Sequence, residues 1–316
     1  VEVLPAVKET TPSYMDFIIH SEKSVLHQWL NAGISGWRLD VLDELPEEFS
    51  QAFYRELKNT NSESVLIGEV WEDASHKVSY GKLRTYFSGH EADSVMNYPL
   101  RDIIISFLMG EKDGGEAARA VASLAENYPK HNFYALMNLL GSHDTPRIIS
   151  VLGEMPDLQE GTYREQGEYR LPEEKAALGK RRLLLAVLWQ MTYPGVPSVY
   201  YGDEIGMQGG KDPYNRAPYD WENGDVGIRE TVMEGIRLRR ENAALSTGEL
   251  IQLTADGDVF AFARAVRKGK DVFGEAAENG IFITVLNRSV SGKHEVVLDV
   301  GDFAACDMSF VPVLAA

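Results

Sequence analysis

The sequence predicts an α/β protein with a parallel sheet, followed by a small all-β region. Short apolar runs alternate with helical patterns through residues 14–245, and short strands separated by turns follow Ser246. Strands that alternate with helices favour a parallel sheet with helices outside it. We count about five such strand and helix units and expect three parts: a leading loop at residues 1–13, an α/β domain at 14–245 and an all-β domain at 246–316.

The α/β part begins with a helix near Ser13 that ends at the stop signal before Gly33. Residues 33–41 then read as a buried strand, and apolar residues recur every four positions after it, which is typical of a helix that packs on a sheet. We expect one buried face on each of the two helices. The first face consists of Phe17, Val25, Leu26, Trp29 and Leu30, and the second of Leu45, Phe49, Phe53 and Leu57.

The same alternation continues along the chain. Short apolar runs bounded by turn residues predict buried strands, and longer runs with helical periodicity predict helices. Further strands are expected at residues 64–70, 93–96, 135–140 and 197–201, and further helices through Leu108 and at 116–128, 172–189 and 228–242. The all-β part is expected to have strands at 259–264, 281–287 and 294–299.

The strand at residues 33–41 carries two opposite charges. Strand residues two apart point to the same side, so Arg38 and Asp40 project together, beside a Gly36 that leaves room for something to approach. A buried charge is costly unless it is paired or used. This strand alone is equally compatible with a structural ion pair at the strand end and with a catalytic carboxylate.

Carboxylates also occupy the ends of two other predicted strands. Glu69 ends the strand at 64–70, and Asp144 lies just past the strand at 135–140. In parallel sheets and barrels the active site lies at the carboxyl ends of the strands, so we expect Asp40, Glu69 and Asp144 to converge on one rim. A nucleophilic carboxylate beside a proton-donating one is the arrangement that glycoside cleavage needs.

Three motifs carry a family resemblance. GWRLDV at residues 36–41, GEVW at 68–71 and GSHDTPR at 141–147 resemble, in order, three signature regions of the α-amylase family of glycoside hydrolases. YYGDEIG at 200–206 is similar to the family's eighth barrel strand and the segment directly after that strand. DSVMNYP at 93–99 and DPYNR at 212–216 are similar to the neopullulanase and cyclomaltodextrinase branch.

The resemblance implies a particular architecture. It predicts an incomplete (β/α)8 TIM barrel that contains strands four to eight, followed by a small all-β sandwich domain. Residues 1–13 would be a remnant of the domain that the family inserts after strand three. The family's first signature region has no counterpart here, so we expect a fragment of a longer enzyme that is inactive or weak by itself.

The resemblance also implies catalytic roles. Asp40 would be the nucleophile that forms a covalent glycosyl intermediate, and Glu69 would be the general acid and base. Asp144 would bind sugar hydroxyls, His143 would hydrogen-bond the same sugar, and Arg38 would orient Asp40. Such a pair of acids implies retention of anomeric configuration.

Other residues are weaker candidates for substrate binding. Trp71, Tyr98 and Tyr201 are either stacking platforms for sugar rings or core aromatic residues. Asp212 and Arg216 either contact outlying sugars or form a salt bridge that stabilises their loop. A lone His143 would ordinarily be structural, but its place directly before Asp144 favours a binding role.

The expected function is a retaining α-glucan hydrolase that acts on α-1,4, and as a second candidate α-1,6, glucosidic bonds. Maltodextrins, cyclodextrins, pullulan and starch are the expected substrates. The alternatives are an α-glucan transferase of the same family and a non-catalytic carbohydrate-binding or scaffolding relative. The presence of all three acids together with His143 and Arg38 favours the enzyme.

Composition limits the partners. The chain has 316 residues and a formal charge of −17, which argues against nucleic acid and anionic membranes as partners. The lone Cys306 allows no internal disulfide, which is compatible with a cytoplasmic protein and does not exclude export. We expect no metal or cofactor in this chain, with calcium as a candidate only for the full-length enzyme, and either a homodimer or a missing N-terminal half as the partner.

Overall fold

The computed structural model describes residues 7–158, 161–290, 295–304 and 308–314. The chain folds as two compact units, Val1–Pro99 with Leu124–Met137, and Leu100–Ser123 with Asn138–Ala316. The sequence-based domain division at residues 14–245 and 246–316 stays a prediction.

A parallel sheet organises the first unit. Its strands are β1 (Gly36–Leu39), β2 (Val65–Gly68) and β5 (Ser94–Val95), in that spatial order, with Leu39 opposite Gly68 and Gly68 opposite Val95. This confirms the three strands predicted from the apolar runs, although each is shorter than expected because its ends turn into loops. An antiparallel hairpin, β3 (Val78–Ser79) with β4 (Lys82–Leu83), lies between β2 and β5 in the chain.

Gly36 has a different role from the one expected. A Cβ atom at this position would lie 2.2 Å from the carbonyl oxygen of Val65 on the neighbouring strand. The space beside Gly36 is therefore filled by the backbone of β2, so this glycine is needed for strand pairing. The expectation that it leaves room for an approaching group is wrong.

The first predicted helix is broken. Its residues form α1 (Pro12–Met15), a π-helical turn (Asp16–His20) and α2 (Val25–Asn31), and Ser24 caps α2 by accepting a 3.2 Å hydrogen bond from the backbone N–H of His27. Leu26 is buried, but the side chains of Phe17 and Trp29 are 60% and 56% exposed. The predicted single buried face is therefore wrong, because the break rotates the two segments independently.

The following helix forms as predicted, although Leu45, the first residue of its expected buried face, lies before the helix and is half-buried. Helix α3 (Glu47–Thr60) buries Phe49, Phe53 and Leu57, as the four-residue spacing requires. Helices α4 (Tyr98–Met109) and α5 (Gly114–Asn127) contain residues of both units. Helix α6 (Lys130–Ala135) replaces the start of the strand predicted at 135–140, which begins only at Met137.

The remaining strands of the α/β part lie in the second unit, apart from Met137, which begins β6 and belongs to the first unit. Strand β6 (Met137–Leu139) pairs with β7 (Val196–Ser198). The long predicted helix extends to Thr192, and Arg239 covers its end by donating hydrogen bonds to the carbonyl oxygens of Met191 at 3.1 Å and Tyr193 at 3.0 Å. The helices of this unit are α7 (Ile148–Leu152), α8 (Tyr163–Glu168), α9 (Glu173–Thr192), α10 (Val226–Glu241) and α11 (Ala243–Thr247).

An antiparallel sheet comes after helix α11. Its strands are β8 (Glu249–Asp256), β9 (Val259–Val266) and β10 (Gly280–Asn287), and β9 lies in the middle. Strands β9 and β10 were expected, whereas β8 was missed because a register shift between Gln252 and Ala255 interrupts its alternation. The strand predicted at 294–299 is wrong for Glu295–Asp299, which carry no strand, and His294 lies outside the described residues.

Candidate active site

Two carboxylates lie at neighbouring strand ends in the first unit. Asp40 directly follows β1, and Glu69 directly follows β2. The strands are parallel and in register, and the backbone N–H of Glu69 donates a 3.0 Å hydrogen bond to the carbonyl oxygen of Leu39. The pairing of β1 with β2 therefore brings these two sequence-predicted residues to one edge of the sheet.

The carboxylate of Glu69 is buried and held on both oxygens. Its Oε1 lies 3.0 Å from Nη2 of Arg38 and accepts a 3.2 Å hydrogen bond from Nε1 of Trp71. Its Oε2 accepts a 2.8 Å hydrogen bond from the backbone N–H of Val41. Two hydrogen bonds and one ion pair thus hold the carboxylate of a residue that is only 4% exposed.

Asp40 is accessible by comparison. Its side chain is 76% exposed, and Nη1 of Arg38 donates a hydrogen bond to its Oδ1. Arg38 thus contacts both acids, whereas the sequence predicted only its contact with Asp40. The two carboxylates therefore lie in different environments, one exposed to a ligand and one buried and held by its neighbours.

An aromatic stack borders Glu69. The rings of Trp71 and Tyr98 are parallel to within 7°, with centroids 4.1 Å apart. Trp71 is 45% exposed and Tyr98 only 1%, so Trp71 presents the accessible aromatic face. Stacking of a sugar on either ring stays a prediction, and the burial of Tyr98 favours the alternative core role for that residue.

The motif at 141–147 places a second group of polar residues in the second unit. Nε2 of His143 lies 3.1 Å from Oδ2 of Asp144, and Nη2 of Arg216 lies 3.5 Å from Oδ1 of the same carboxylate. Nε of Arg216 also lies 2.7 Å from Oδ1 of Asp212. The predicted salt bridge within the 212–216 loop is therefore present, and sugar contacts by Asp212 and Arg216 stay a prediction, as does the convergence of Asp144 with the other two acids.

Sequence reasoning gave no role to a buried ion pair next to this group. Arg147, the last residue of the motif, is 1% exposed, and its Nη1 lies 3.2 Å from Oδ1 of Asp203. Its guanidinium lies 4.4 and 4.5 Å from the ring centroids of Tyr200 and Tyr201. An arginine that ends one motif and an aspartate inside another were the only sequence signals for this pair.

Burial dominates the electrostatics of Asp203. It raises the pKa of this carboxyl to about 7, and the nearby charge of Arg147 only partly opposes the rise. A Cβ atom added to Gly141 would lie 2.2 Å from Oδ2 of Asp203. The glycine that opens the motif is therefore needed for this close packing.

Tyr201, a sequence candidate for sugar stacking, is 39% exposed. Its hydroxyl donates a 2.8 Å hydrogen bond to the carbonyl oxygen of Ala217. This bond ties the segment after β7 to the loop that follows Arg216. A stacking role for the Tyr201 ring stays a prediction.

Neither a metal cluster nor a membrane-spanning helix occurs in the part of the chain that the structure describes. Among these residues, no group of three or more His, Cys, Asp or Glu side chains is placed to hold a metal ion. No helix within the described ranges is long and apolar enough to cross a bilayer.

Comparisons with known proteins give the family. Residues 16–246 match the model of the alpha-amylase catalytic domain. The amylopullulanase of Thermoanaerobacter thermohydrosulfuricus is 34% identical over an alignment of 320 positions that covers 96% of this chain and 20% of that protein. Neopullulanase 2 of Thermoactinomyces vulgaris is 34% identical over 84% of this chain and 40% of its own length.

Solved structures agree with this match. A cyclomaltodextrinase superposes with a TM-score of 0.69 at 28% identity, over 88% of this chain and 41% of that chain. The debranching enzyme of Nostoc punctiforme gives a TM-score of 0.65 at 29% identity, over 82% of this chain and 50% of that one. The chain thus spans half or less of each of these four proteins, and it shares the TIM-barrel-like α/β fold of its structural neighbours. The chain belongs to the alpha-amylase family of glycoside hydrolases, and its relatives include neopullulanases and cyclomaltodextrinases.

Proposed function

We propose that this chain carries the catalytic residues of a retaining α-glucan hydrolase. The observation that supports this most directly is the pair of carboxylates, Asp40 and Glu69, at neighbouring parallel strand ends with Arg38 in contact with both. Retaining glycosidases need two such groups in different environments. The exposed Asp40 is suited to attack a substrate, and the buried Glu69 is suited to proton transfer.

The proposed reaction has two steps. A carboxylate oxygen of Asp40 attacks the anomeric carbon while Glu69 protonates the glycosidic oxygen, so the glycosidic bond breaks and a glycosyl ester forms. In the second step Glu69 takes a proton from a water molecule as the water oxygen attacks the anomeric carbon, so the bond between that carbon and the Asp40 oxygen breaks and Asp40 leaves as a carboxylate. Arg38 keeps Asp40 oriented throughout, and His143 and Asp144 are proposed to bind sugar hydroxyls.

The substrate class rests on the relatives. Those that match this chain are named as amylopullulanase, neopullulanase and cyclomaltodextrinase. We therefore propose α-1,4-linked glucans as substrates, with maltodextrin, cyclodextrin, pullulan and starch as the molecules to test first and α-1,6 bonds as a second target.

The architecture is proposed on the same basis. Strands β1, β2, β5, β6 and β7 would correspond to strands four to eight of the family's barrel, within a catalytic domain at residues 14–245. The antiparallel sheet of β8, β9 and β10 would belong to a C-terminal β-sandwich domain at residues 246–316.

A covalent-trapping experiment tests the proposal. The protein that carries this chain is incubated with an activated fluorinated α-glucosyl substrate. This substrate forms the glycosyl ester quickly, and the ester is hydrolysed slowly, so the labelled peptide can be identified by mass spectrometry. We expect the label on Asp40, loss of turnover in Asp40→Asn, and α-configured first products by NMR. Glu168→Gln, which neutralises an exposed carboxylate on α8, is the control and should keep full activity.

Three results would contradict the assignment. These are a label on another residue, β-configured first products, and unchanged turnover of Asp40→Asn. Any of them would remove Asp40 as the nucleophile of a retaining enzyme.

A further inference from the structure

One buried side chain holds the turn that carries His143 and Asp144. Asn215 is 0% exposed, and its Nδ2 donates hydrogen bonds to the carbonyl oxygens of His143 at 2.7 Å, Thr145 at 2.8 Å and Ser142 at 3.4 Å. Only the amide nitrogen of asparagine can donate to a carbonyl, so these three acceptors fix the orientation of the side chain.

The turn depends on this outside donor. Residues 142–145 form no helix or strand. The backbone N–H of Ser142 donates to Oγ1 of Thr145 at 3.0 Å, and that of Asp144 donates to Oγ of Ser142 at 3.2 Å. The backbone N–H and the hydroxyl of Thr145 make longer contacts with the carbonyl oxygen of Ser142, at 3.4 and 3.5 Å. Buried carbonyl groups need a partner. The two N–H groups of the Asn215 amide supply this partner for the carbonyls of His143 and Thr145, and the longer contact reaches the carbonyl of Ser142, which also accepts from Thr145.

Neighbouring residues hold Asn215 in turn. A Cβ atom on Gly209 would lie 2.4 Å from the carbonyl oxygen of Tyr214 and 3.2 Å from Cα of Asn215, so the two backbone segments are in close contact. The carbonyl oxygen of Gly209 accepts a 3.1 Å hydrogen bond from the backbone N–H of Arg147. The loop that carries Asn215 is thus fixed to the end of the 141–147 motif.

Two consecutive residues, Asn215 and Arg216, contact the turn. The side chain of Asn215 donates to the backbone carbonyls of the turn, and Nη2 of Arg216 lies 3.5 Å from Oδ1 of the Asp144 side chain. A shift of the backbone would therefore move His143 and Asp144 together and change the Arg216 contact.

We propose that Asn215 is a positioning residue for His143 and Asp144, acting through the backbone of residues 142–145. The inference rests on the proposed function, because the position of His143 and Asp144 matters for activity only if these two residues bind sugar. Asn215 itself is buried behind the turn and need not touch a substrate. Its loss would leave the fold in place and allow the turn to move.

The test compares Asn215→Ala with Gln190→Ala in the protein that carries this chain. Gln190 is a matched control, because it is 2% exposed and its Nε2 also donates to two backbone carbonyls, those of Asn138 at 2.9 Å and Ser198 at 3.0 Å. Both variants lose a buried side-chain amide that donates to backbone carbonyls. Only the amide of Asn215 donates to the turn at residues 142–145. Asn215→Ser serves as a second variant if the alanine variant does not fold.

Two measurements are made on each protein. Hydrogen exchange followed by mass spectrometry reports the mobility of residues 141–147 without any substrate. Hydrolysis of maltodextrin gives kcat and KM. For Asn215→Ala we expect at least ~10-fold faster exchange in this segment and a kcat lower by about 10- to 100-fold with KM within threefold, because small displacements of binding groups act mainly on the transition state.

The outcomes separate this inference from the proposed function. Unchanged exchange of residues 141–147 in Asn215→Ala, or the same loss of kcat in Gln190→Ala, would overturn the positioning role. A wild-type protein that hydrolyses no α-glucan would overturn the proposed function, while the exchange data would still decide whether Asn215 holds the turn.

Discussion

Arg38 pairs with the buried acid as well as with the exposed one: its Nη2 lies 3.0 Å from Oε1 of Glu69. Since Nη1 of the same guanidinium contacts Asp40, one planar group joins the proposed nucleophile and the proposed acid and base. The ion pair that the sequence offered as an alternative to a catalytic role is therefore part of the candidate site.

Replacing Arg38 with lysine should separate charge from geometry. A lysine keeps the positive charge but has a single ammonium group, which cannot contact two carboxylates as the planar guanidinium does. We expect Arg38→Lys to lower kcat/KM by about 100-fold or more, with little change in Tm. The control is Arg164→Lys, at an exposed pair with Glu168, which should keep wild-type kinetics. Wild-type kcat/KM in Arg38→Lys would show that the double contact is unimportant.

Trp71 makes two contacts that two variants can distinguish. Trp71→Phe removes the indole N–H that donates to Glu69 but keeps a ring on Tyr98, whereas Trp71→Ala removes both. Because a hydrogen bond to a charged group contributes about 1.5 kcal/mol or more, we expect Trp71→Phe to lower kcat/KM roughly tenfold.

Trp71→Ala should lose more activity and also raise KM. Trp221→Phe changes an 87% exposed indole and serves as the control, measured on the same maltodextrin series. Equal kinetics for Trp71→Phe and the wild type would mean that the bond to Glu69 does not contribute.

Asp203 should make stability depend on pH. Burial raises its pKa from 3.8 to about 7, so between these values the folded protein holds a proton that the unfolded chain releases. Stability therefore falls as pH rises through this window, by at most ~4 kcal/mol from this group. In urea unfolding from pH 4 to 8, Asp203→Asn should show a smaller fall than the wild type.

Asp220 provides a comparison of opposite sign. Backbone hydrogen bonds from Asn223 and Glu222 lower the pKa of this exposed carboxyl, so its contribution is lost as pH falls below its usual range. Asp220→Asn should therefore leave the slope between pH 4 and 8 unchanged. A wild-type slope in Asp203→Asn would contradict the assignment to Asp203.

Arg264 should be important for stability rather than for activity. It is fully buried on β9, and its guanidinium donates to the carbonyl oxygens of Thr192 and Leu245, both at 2.9 Å, and of Gly248 at 3.0 Å. A lysine cannot reach this set, so Arg264→Lys should cost about 3 kcal/mol of unfolding free energy. Urea unfolding measures this loss.

The control for Arg264 is a neighbour on the same chain segment. Arg267 is half-exposed and pairs with Glu249, so Arg267→Lys should change stability by less than about 0.5 kcal/mol. Similar losses in both variants would show that the buried carbonyl contacts are not decisive.

The periodicity of apolar residues predicted where helices and strands lie better than it predicted which of their side chains are buried. The four-residue spacing located α3 and its buried Phe49 and Phe53. The same reasoning failed for Phe17 and Trp29, because a pattern of apolar residues does not show where a helix breaks. Strand β8 was missed for a related reason, since a bulge removes the alternation that reveals a strand.

The sequence by itself placed the two candidate acids of the first unit close to strand ends. Alternation and composition placed Asp40 and Glu69 after apolar runs, and the spacing of two residues put Arg38 beside Asp40. These are local properties, set by the geometry of a single strand, and they indicated the candidate acids, whereas the resemblance of three motifs indicated the family.

The tertiary structure decided everything that depends on register and distant contacts. Pairing of Leu39 with Gly68 is what brings Arg38 to Glu69, and folding brings Asn215 to the carbonyl of Ser142, 73 positions away. Such contacts arise when separate segments pack and leave no periodic signal in the chain. The physical reason is that the local sequence specifies which side chains share one face of a strand. The partner of a buried donor is fixed only when separate segments pack together.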